Sequence, residues 1–366
     1  MKTTPLPSIS IEEAKQFQFK LIDEITRVFT GLEVLSLGDV GVVANLNQPQ
    51  TTAKVEQVIA NFFNVEAATL VQGAGTGALR NAFSSIELTS RNVLAHKAPI
   101  YPTTEVTFKL MNLHPIYADF HDADEVIRTV SENKIDFALI QTTRQKLDDN
   151  YDLKGIIDLC NSLSLTTVVD DNYAVMKIPL IGAQLGATVS AFSSFKLLGP
   201  EGIGIVCGKK ENIKKIRDMN YSGGGQVQGA TAMEVLRGLI YAPVSLAIQA
   251  EVIEHVASRL NQKEVNGILN AYIVNAQSKV LIVEFEKEVA EKVLAVAEQL
   301  GAAPHPVGAE SKYEFAPMFY RVSGTFLKAD PTLKYRMIRI NPMRSGSDTI
   351  IRILKQSLET VTKEGM

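Results

Sequence analysis

The chain has 366 residues, of which 46% are hydrophobic and 21% charged, the composition of a folded globular protein. Its 37 basic and 40 acidic residues leave a net charge of −3 without any long run of Lys or Arg, which argues against a nucleic-acid backbone binder. Cys160 and Cys207 lie far apart in apolar segments and make neither a disulfide framework nor a zinc site, and the five histidines show no HExxH or HxH spacing, so no metal is expected. Buried reduced thiols, an N-terminus without an apolar leader, and no uninterrupted apolar run of ~18 residues give the expectation of a cytoplasmic protein without a membrane span.

At about 150 residues per domain the length suggests two domains. The expected division is an arm over 1–50, a large domain over 51–250 and a small domain over 251–366, with a linking helix at about 230–260. In the arm, a helix is predicted after Ser10, with Phe17, Leu21 and Ile25 on one face. A Gly- and Asn-rich loop follows, then a helix over Thr52–Phe63. From there short apolar runs alternate with helix-length segments: ATLVQ (68–72), VLAH (93–96), HPIYADF (114–120), DFALIQ (136–141), TTVVD (166–170), SAFSS (190–194) and IGIVCG (203–208). Continuous β-branched runs alternating with helices predict an α/β fold with a mostly parallel seven-stranded sheet covered on both faces. The last two runs lack a helix-length spacer, so their connection is expected to depart from this pattern. After the linking helix, alternating strands and an amphipathic helix from Ser347 predict a small α/β domain with antiparallel strands.

Four features fall at predicted strand ends or helix starts. Gly73-Ala74-Gly75-Thr76-Gly77-Ala78 joins a strand to an apolar helix, where free amides, a positive dipole end and the Thr76 hydroxyl suit a phosphate. A bland turn or a dinucleotide site are alternatives, though the third fingerprint glycine and an acidic ribose partner are missing. Asp170-Asp171-Asn172-Tyr173 follows the run TTVV, and a partly desolvated acid there favours a cationic partner; a helix cap or metal carboxylate are the alternatives. Lys196 follows the apolar strand with Ser193 and Ser194, in a setting that desolvates an amine and makes it nucleophilic. Arg339, between Ile338 and Ile340, is placed to hold a carboxylate or to form a structural ion pair. Together these features have one economical explanation, pyridoxal 5′-phosphate.

With these motifs in order, the chain resembles the fold type I pyridoxal-phosphate enzymes over nearly its whole length. Within them it looks closest to the YhfS-like group, with kinship to trans-sulfuration enzymes, class V aminotransferases and SelA-like proteins. The stretches VQGAGTGA, YPTT, DDNYAVMK, FKLLGPEG and Glu310-Ser-Lys-Tyr-Glu314 carry the likeness. The resemblance implies an aspartate aminotransferase-like fold and a Schiff base at Lys196. It implies Asp170 at the pyridine nitrogen, with Asp171 as second choice, and Asn172 at the ring hydroxyl. Gly75, Thr76, Gly77 and Ser193 would hold the phosphate. Tyr101 would stack on the ring and assist proton transfer. Arg339 would hold the α-carboxylate of an amino-acid substrate. Tyr221 and Gln226 would reach the phosphate of a neighbouring subunit, in a homodimer or higher even oligomer. Where trans-sulfuration enzymes carry Ser-Asn-Pro, this chain has Gln141-Thr-Thr-Arg144-Gln145, which removes a substrate contact and offers Arg144 as a new cation. The resemblance favours lyase or side-chain replacement chemistry. An aminotransferase, a non-catalytic cofactor carrier and a nucleotide-binding module are the alternatives, the last leaving Lys196 and Asp170 unexplained.

Overall fold

The computed structural model describes residues 3–143, 149–221, 224–275, 279–305 and 310–364. The chain divides into two compact units. One takes in Glu13–Thr143 and Tyr151–Pro243; the other takes in Val244–Met366 with the described parts of Met1–Glu12 and Arg144–Asn150.

The first helix, α1 (Ile11–Val28), buries Ala14, Leu21 and Ile25 on one stripe, as the apolar spacing requires. After an irregular segment, α2 (Gln50–Phe63) ends on Asn64 in left-handed conformation. The larger unit is then built on seven strands: β1 (Ala67–Gln72), β2 (Asn92–His96), β3 (His114–Ala118), β4 (Phe137–Gln141), β5 (Thr166–Asp170), β6 (Val189–Ser193) and β7 (Ile203–Gly208). Their spatial order is β1-β7-β6-β5-β4-β2-β3. Strands β2 to β6 run parallel, whereas β7 is antiparallel to both β6 and β1. The reversal follows from the short spacer after β6, since a parallel return needs a crossover of about a dozen residues or more.

Helices α3 (Ala74–Ser84), α4 (Pro102–Met111), α5 (Ala123–Glu132), α6 (Leu153–Ser162) and α7 (Lys210–Met219) cover the sheet. Strand side chains alternate between its faces. Ala95, Leu139, Val168 and Ala191 pack with Leu79 and Phe83 of α3, Phe108 of α4 and Ile213 of α7. Their chain neighbours Leu94, Ile140 and Val169 pack on the other face with Val126 of α5 and Ile157 and Cys160 of α6. Burying one such side chain stabilises the fold by about 1.5–3 kcal/mol. Cys160 and Cys207 are buried free thiols, and burial pushes Cys160 up to about 12 and Cys207 upward as well. Both are therefore neutral at physiological pH and serve as small apolar groups.

Helix α8 (Gly229–Asn261) is 33 residues long with Pro243 inside it. It is long and apolar enough to cross a membrane by length and composition, yet 56% of its apolar window is buried within the protein, as in a core helix. The smaller unit continues with β8 (Ile268–Val274), β9 (Val280–Phe285), α9 (Ala290–Gln299), β10 (Met318–Arg321), α10 (Gly324–Ala329), α11 (Leu333–Arg336), β11 (Met337–Asn341) and α12 (Ser347–Glu364). Its sheet has the order β10-β11-β9-β8 and is antiparallel at every pairing. Ile253 and Leu260 of α8, Val293 of α9 and Leu354 of α12 close its core over Leu281, Phe319 and Ile338.

Candidate active site

The carboxyl ends of β5 and β6 and the start of α3 carry a cluster of polar groups, among them the buried Ser193 and Ser194 hydroxyls, which lack partners among the described residues. At the α3 start, the amides of Gly73 and Ala74 both reach the carbonyl of Gly202, at 2.6 and 3.0 Å. The amides of Gly75 and Thr76 stand in the first turn, where no carbonyl lies one turn back to receive them. The positive end of the helix dipole lies at the same place. Close packing explains the glycines. A Cβ on Gly77 would stand 2.0 Å from the carbonyl oxygen of Gln72, and one on Gly75 would stand 2.3 Å from Oδ1 of Asn172.

Asn172 links this turn to two strands. Its Nδ2 donates to Asp170 Oδ1 at 2.8 Å, its backbone amide donates to the same oxygen at 3.1 Å, and its Oδ1 accepts from the Ser193 amide at 3.0 Å. Its side chain therefore orients Asp170 and the end of β6, in addition to whatever it touches in a bound ring.

Asp170 ends β5 and points to the same face as Val168, the face covered by α3. Burial pushes its carboxyl up to about 6; the two Asn172 hydrogen bonds and Lys196 pull it down, and Asp171 pushes it further up. Asp171 belongs to the opposite face. Its Oδ1 accepts from Thr142 Oγ1 at 2.6 Å, and its Oδ2 accepts from Ser190 Oγ at 2.5 Å and the Gly182 amide at 3.0 Å. Burial raises its pKa too, against these three donors.

Lys196 sits in a single 3₁₀ turn, Phe195–Leu197, directly after β6, and is half-buried. Its Nζ lies over the ring of Tyr173, 4.5 Å from the centroid. Ser193 and Ser194 just before it are buried, and their hydroxyl oxygens have no hydrogen-bond partner among the described residues. A buried unsatisfied hydroxyl costs roughly 1–3 kcal/mol, so two adjacent ones call for a ligand. Behind the turn, α8 brings Gly238 against Gly199, where a Cβ would stand 2.5 Å from the Gly199 amide nitrogen, which explains the glycine of LRGL.

The remaining candidates lie on other elements. Tyr101 is half-buried at the N-cap of α4, beyond the carboxyl end of β2. Tyr221 and Gln226 line a cavity of about 380 Å³ with Glu56 and Arg217. The Gln226 side chain donates to the carbonyl of Asn47, and the Gln226 backbone carbonyl accepts from the side chain of Gln72 at the end of β1. In the smaller unit, Arg339 lies in β11 with its guanidinium 4.2 Å from the Tyr320 ring centroid and its Nε donating to the Arg321 carbonyl at 2.7 Å. Arg144 lies outside the described residues. Glu310, which opens the Glu-Ser-Lys-Tyr-Glu stretch, is fully buried and accepts from Gln249 of α8 at 2.8 Å and Asn341 of β11 at 3.3 Å, an internal tie of the smaller unit. Tyr173 was not among the sequence candidates. Its signal is conformational: it adopts φ 68°, a left-handed backbone that an aromatic residue rarely takes.

Comparison with known proteins places these observations in a family context. A model of the YhfS-like C-terminal domain matches residues 254–354, and a model of class-V aminotransferases matches residues 44–236. The YhfS protein of Escherichia coli (strain K12) is 50% identical over 361 residues, covering 99% of this chain and 100% of that one. The crystal structure of the pyridoxal-5′-phosphate-dependent YhfS from Escherichia coli superposes with a TM-score of 0.97 at 50% identity, over 98% of this chain and 100% of that chain. A cystathione gamma lyase, CalE6, from Micromonospora echinospora superposes with a TM-score of 0.73 at 15% identity, over 94% of this chain and 99% of its own. Cystathionine gamma synthase from Xanthomonas oryzae pv. oryzae gives a TM-score of 0.69 at 13% identity, over 94% and 97%.

Proposed function

We propose, for a chain that belongs to the YhfS-like family and has the fold type I architecture of pyridoxal-phosphate enzymes, that it binds pyridoxal 5′-phosphate on the α3 face of the larger unit and transforms an amino acid there. The observation that carries this reading is a set of groups left over by packing: a buried carboxyl at Asp170 pushed up to about 6, and two buried hydroxyls without partners at Ser193 and Ser194, beside the Lys196 turn. An anionic phosphate suits the hydroxyls and the Gly75 and Thr76 amides. A protonated ring nitrogen suits Asp170, a buried carboxyl that Asn172 contacts on one oxygen.

When bound, the cofactor supplies an electron sink for negative charge at the Cα of an amino acid. The chain supplies the rest. Gly75, Thr76, Gly77 and Ser193 hold the phosphate. Asp170, aimed by Asn172, keeps the ring nitrogen protonated. Tyr101 covers the ring face and assists proton transfer. Lys196 is the point of covalent attachment and moves the Cα proton at Nζ. Arg339 and Arg144 are the cations proposed for substrate carboxylates. Tyr221 and Gln226 serve the phosphate of a second copy in a homodimer or higher even oligomer.

Lyase or side-chain replacement chemistry is the favoured reaction, on the likeness of VVDDNYA, LRGL and MIRIN to trans-sulfuration enzymes. Transamination is the second reading, favoured by the class-V aminotransferase match over 44–236. Borohydride reduction of the loaded protein followed by peptide mass spectrometry tests the site: a pyridoxyl group on Lys196 supports it, and its absence or its presence on another lysine overturns it. A panel of acidic, neutral and phosphorylated amino acids, supplied without an oxo-acid acceptor, tests the reaction. Ammonia and an oxo acid over many turnovers support elimination. Stoichiometric pyridoxamine phosphate, reconverted by an oxo acid, supports transamination.

A further inference from the structure

We propose that Tyr173 is a positioning residue for Lys196: its ring face holds the lysine as an ammonium ion in the cofactor-free protein and thereby sets the pH at which the amine becomes available for attachment. The proposal rests on the reading of Lys196 as the attachment point, but its first test does not need the cofactor.

Three observations carry it. Nζ of Lys196 lies 4.5 Å from the Tyr173 ring centroid, within the range of a cation–π contact. The contact is built from a backbone conformation that an aromatic residue rarely takes, with φ 68° at Tyr173. Residues held in such a region persist where their surroundings over-determine them. Here the surroundings are explicit: Asp171 on one side is locked by Thr142, Ser190 and Gly182, and the amide of Ala174 on the other side reaches back to the Asp171 carbonyl at 2.9 Å. The turn therefore presents the ring to the amine at a conformational cost. Among the described residues, Asp170 from the end of β5 acts on Lys196 through its charge and Tyr173 from the turn after it through its ring.

The consequence is directional. A ring face attracts the ammonium and not the neutral amine, so it raises the pH needed to deprotonate Lys196. Attachment uses the neutral amine: its lone pair forms the carbon–nitrogen double bond with the aldehyde carbon, and the aldehyde oxygen leaves as water with both amine hydrogens. The third ammonium proton has already gone to solvent. Removing the ring should therefore make attachment faster at neutral pH.

The test measures acylation of Lys196 by an acid anhydride in the cofactor-free protein, peptide by peptide across pH, in the wild type and in Tyr173→Phe, Tyr173→Leu and Tyr173→Asn. Asn is included because it tolerates left-handed backbone, so a folding defect in the Leu variant does not decide the outcome. The expected result is an apparent pKa of Lys196 lower by about half a unit to one and a half units in the Leu and Asn variants, with Phe unchanged. The rate of spectral change on adding pyridoxal 5′-phosphate should shift to lower pH by the same amount. An unshifted Asn profile overturns the proposal, and so does a Phe variant that behaves like Asn, since the hydroxyl and not the ring face would then be acting. A shifted acylation profile together with no attachment in the wild type supports the positioning role and overturns the cofactor reading instead.

Discussion

Asp170 and Asp171 are neighbours of the same chemical type, yet the two faces of the sheet give them opposite fates. Asp171 is saturated by Thr142, Ser190 and Gly182, all within the protein. Among the described residues, Asp170 accepts on one oxygen, from the two donors of Asn172, and the nearby Ser193 hydroxyl has no partner. One face is finished on folding; the other keeps polar capacity in reserve. The contrast teaches that two adjacent buried carboxyls can differ in how far the protein's own donors satisfy them, and that this difference follows from the sheet face each one takes.

The contrast can be broken at four points. Lys196→Ala should abolish covalent attachment and lower turnover by on the order of 10²–10⁴-fold, read by borohydride trapping and steady-state rates. Retained attachment at a different lysine would remove the α3 face from consideration. Asp171→Ala should destabilise the protein by roughly 3–5 kcal/mol in urea unfolding, because three buried donors lose their acceptor. A change within 1 kcal/mol would show that the finished face is not what holds the strand ends.

Asp170→Asn should do the reverse to the cofactor-free protein. The Asp170 carboxyl is raised from 3.8 to about 6, so below pH 3.8 both folded and unfolded states are protonated and it has no effect. As pH rises through this window the unfolded state ionises first, and above about 6 the folded state carries the full penalty, about 3 kcal/mol. Asparagine keeps an acceptor for Asn172 without that penalty. The melting-temperature gap between variant and wild type should therefore open from pH 4 to pH 7, while cofactor-dependent turnover falls. A gap that closes over this range would contradict a raised Asp170. Ser193→Ala is the mildest case: stability should change by less than about 1 kcal/mol, and cofactor affinity should fall about tenfold by spectral titration. A stability loss without an affinity loss would make the hydroxyl structural.

Much of this was legible in the sequence, and the reason is local. Lys196 stands out because AFSSF on one side and a glycine turn on the other desolvate it, and both are contiguous in the chain. Asp170 is the first choice in the sequence and Asp171 the second, and strand alternation shows what differs between them: Asp170 shares a face with Val168, and Val168 packs with α3. Knowing that α3 covers that face requires the fold. The reversal of β7 follows from its short spacer, but its insertion between β6 and β1 does not, since pairing over more than a hundred residues leaves no local trace. Tyr173 was passed over because a positive φ has no signature in a non-glycine residue. The cap-like bonds of Asn172 were likewise invisible, as they depend on where β6 ends.

The pairing of β1 with β7 also orders events in time. Strand β1 lies at the sheet edge with β7 as its neighbour, and the turn that opens α3 is pinned by the Gly202 carbonyl. During synthesis the GAGTGA segment leaves the ribosome about 130 residues before its anchor, at a typical rate of roughly 5–20 residues per second. For those seconds strand β1 lacks its neighbouring strand, and the turn that opens α3 lacks its anchor. A chain that stops before Gly202 has every residue of that turn and lacks the carbonyl that pins it, so the start of α3 takes its final form only late in the folding of the larger unit.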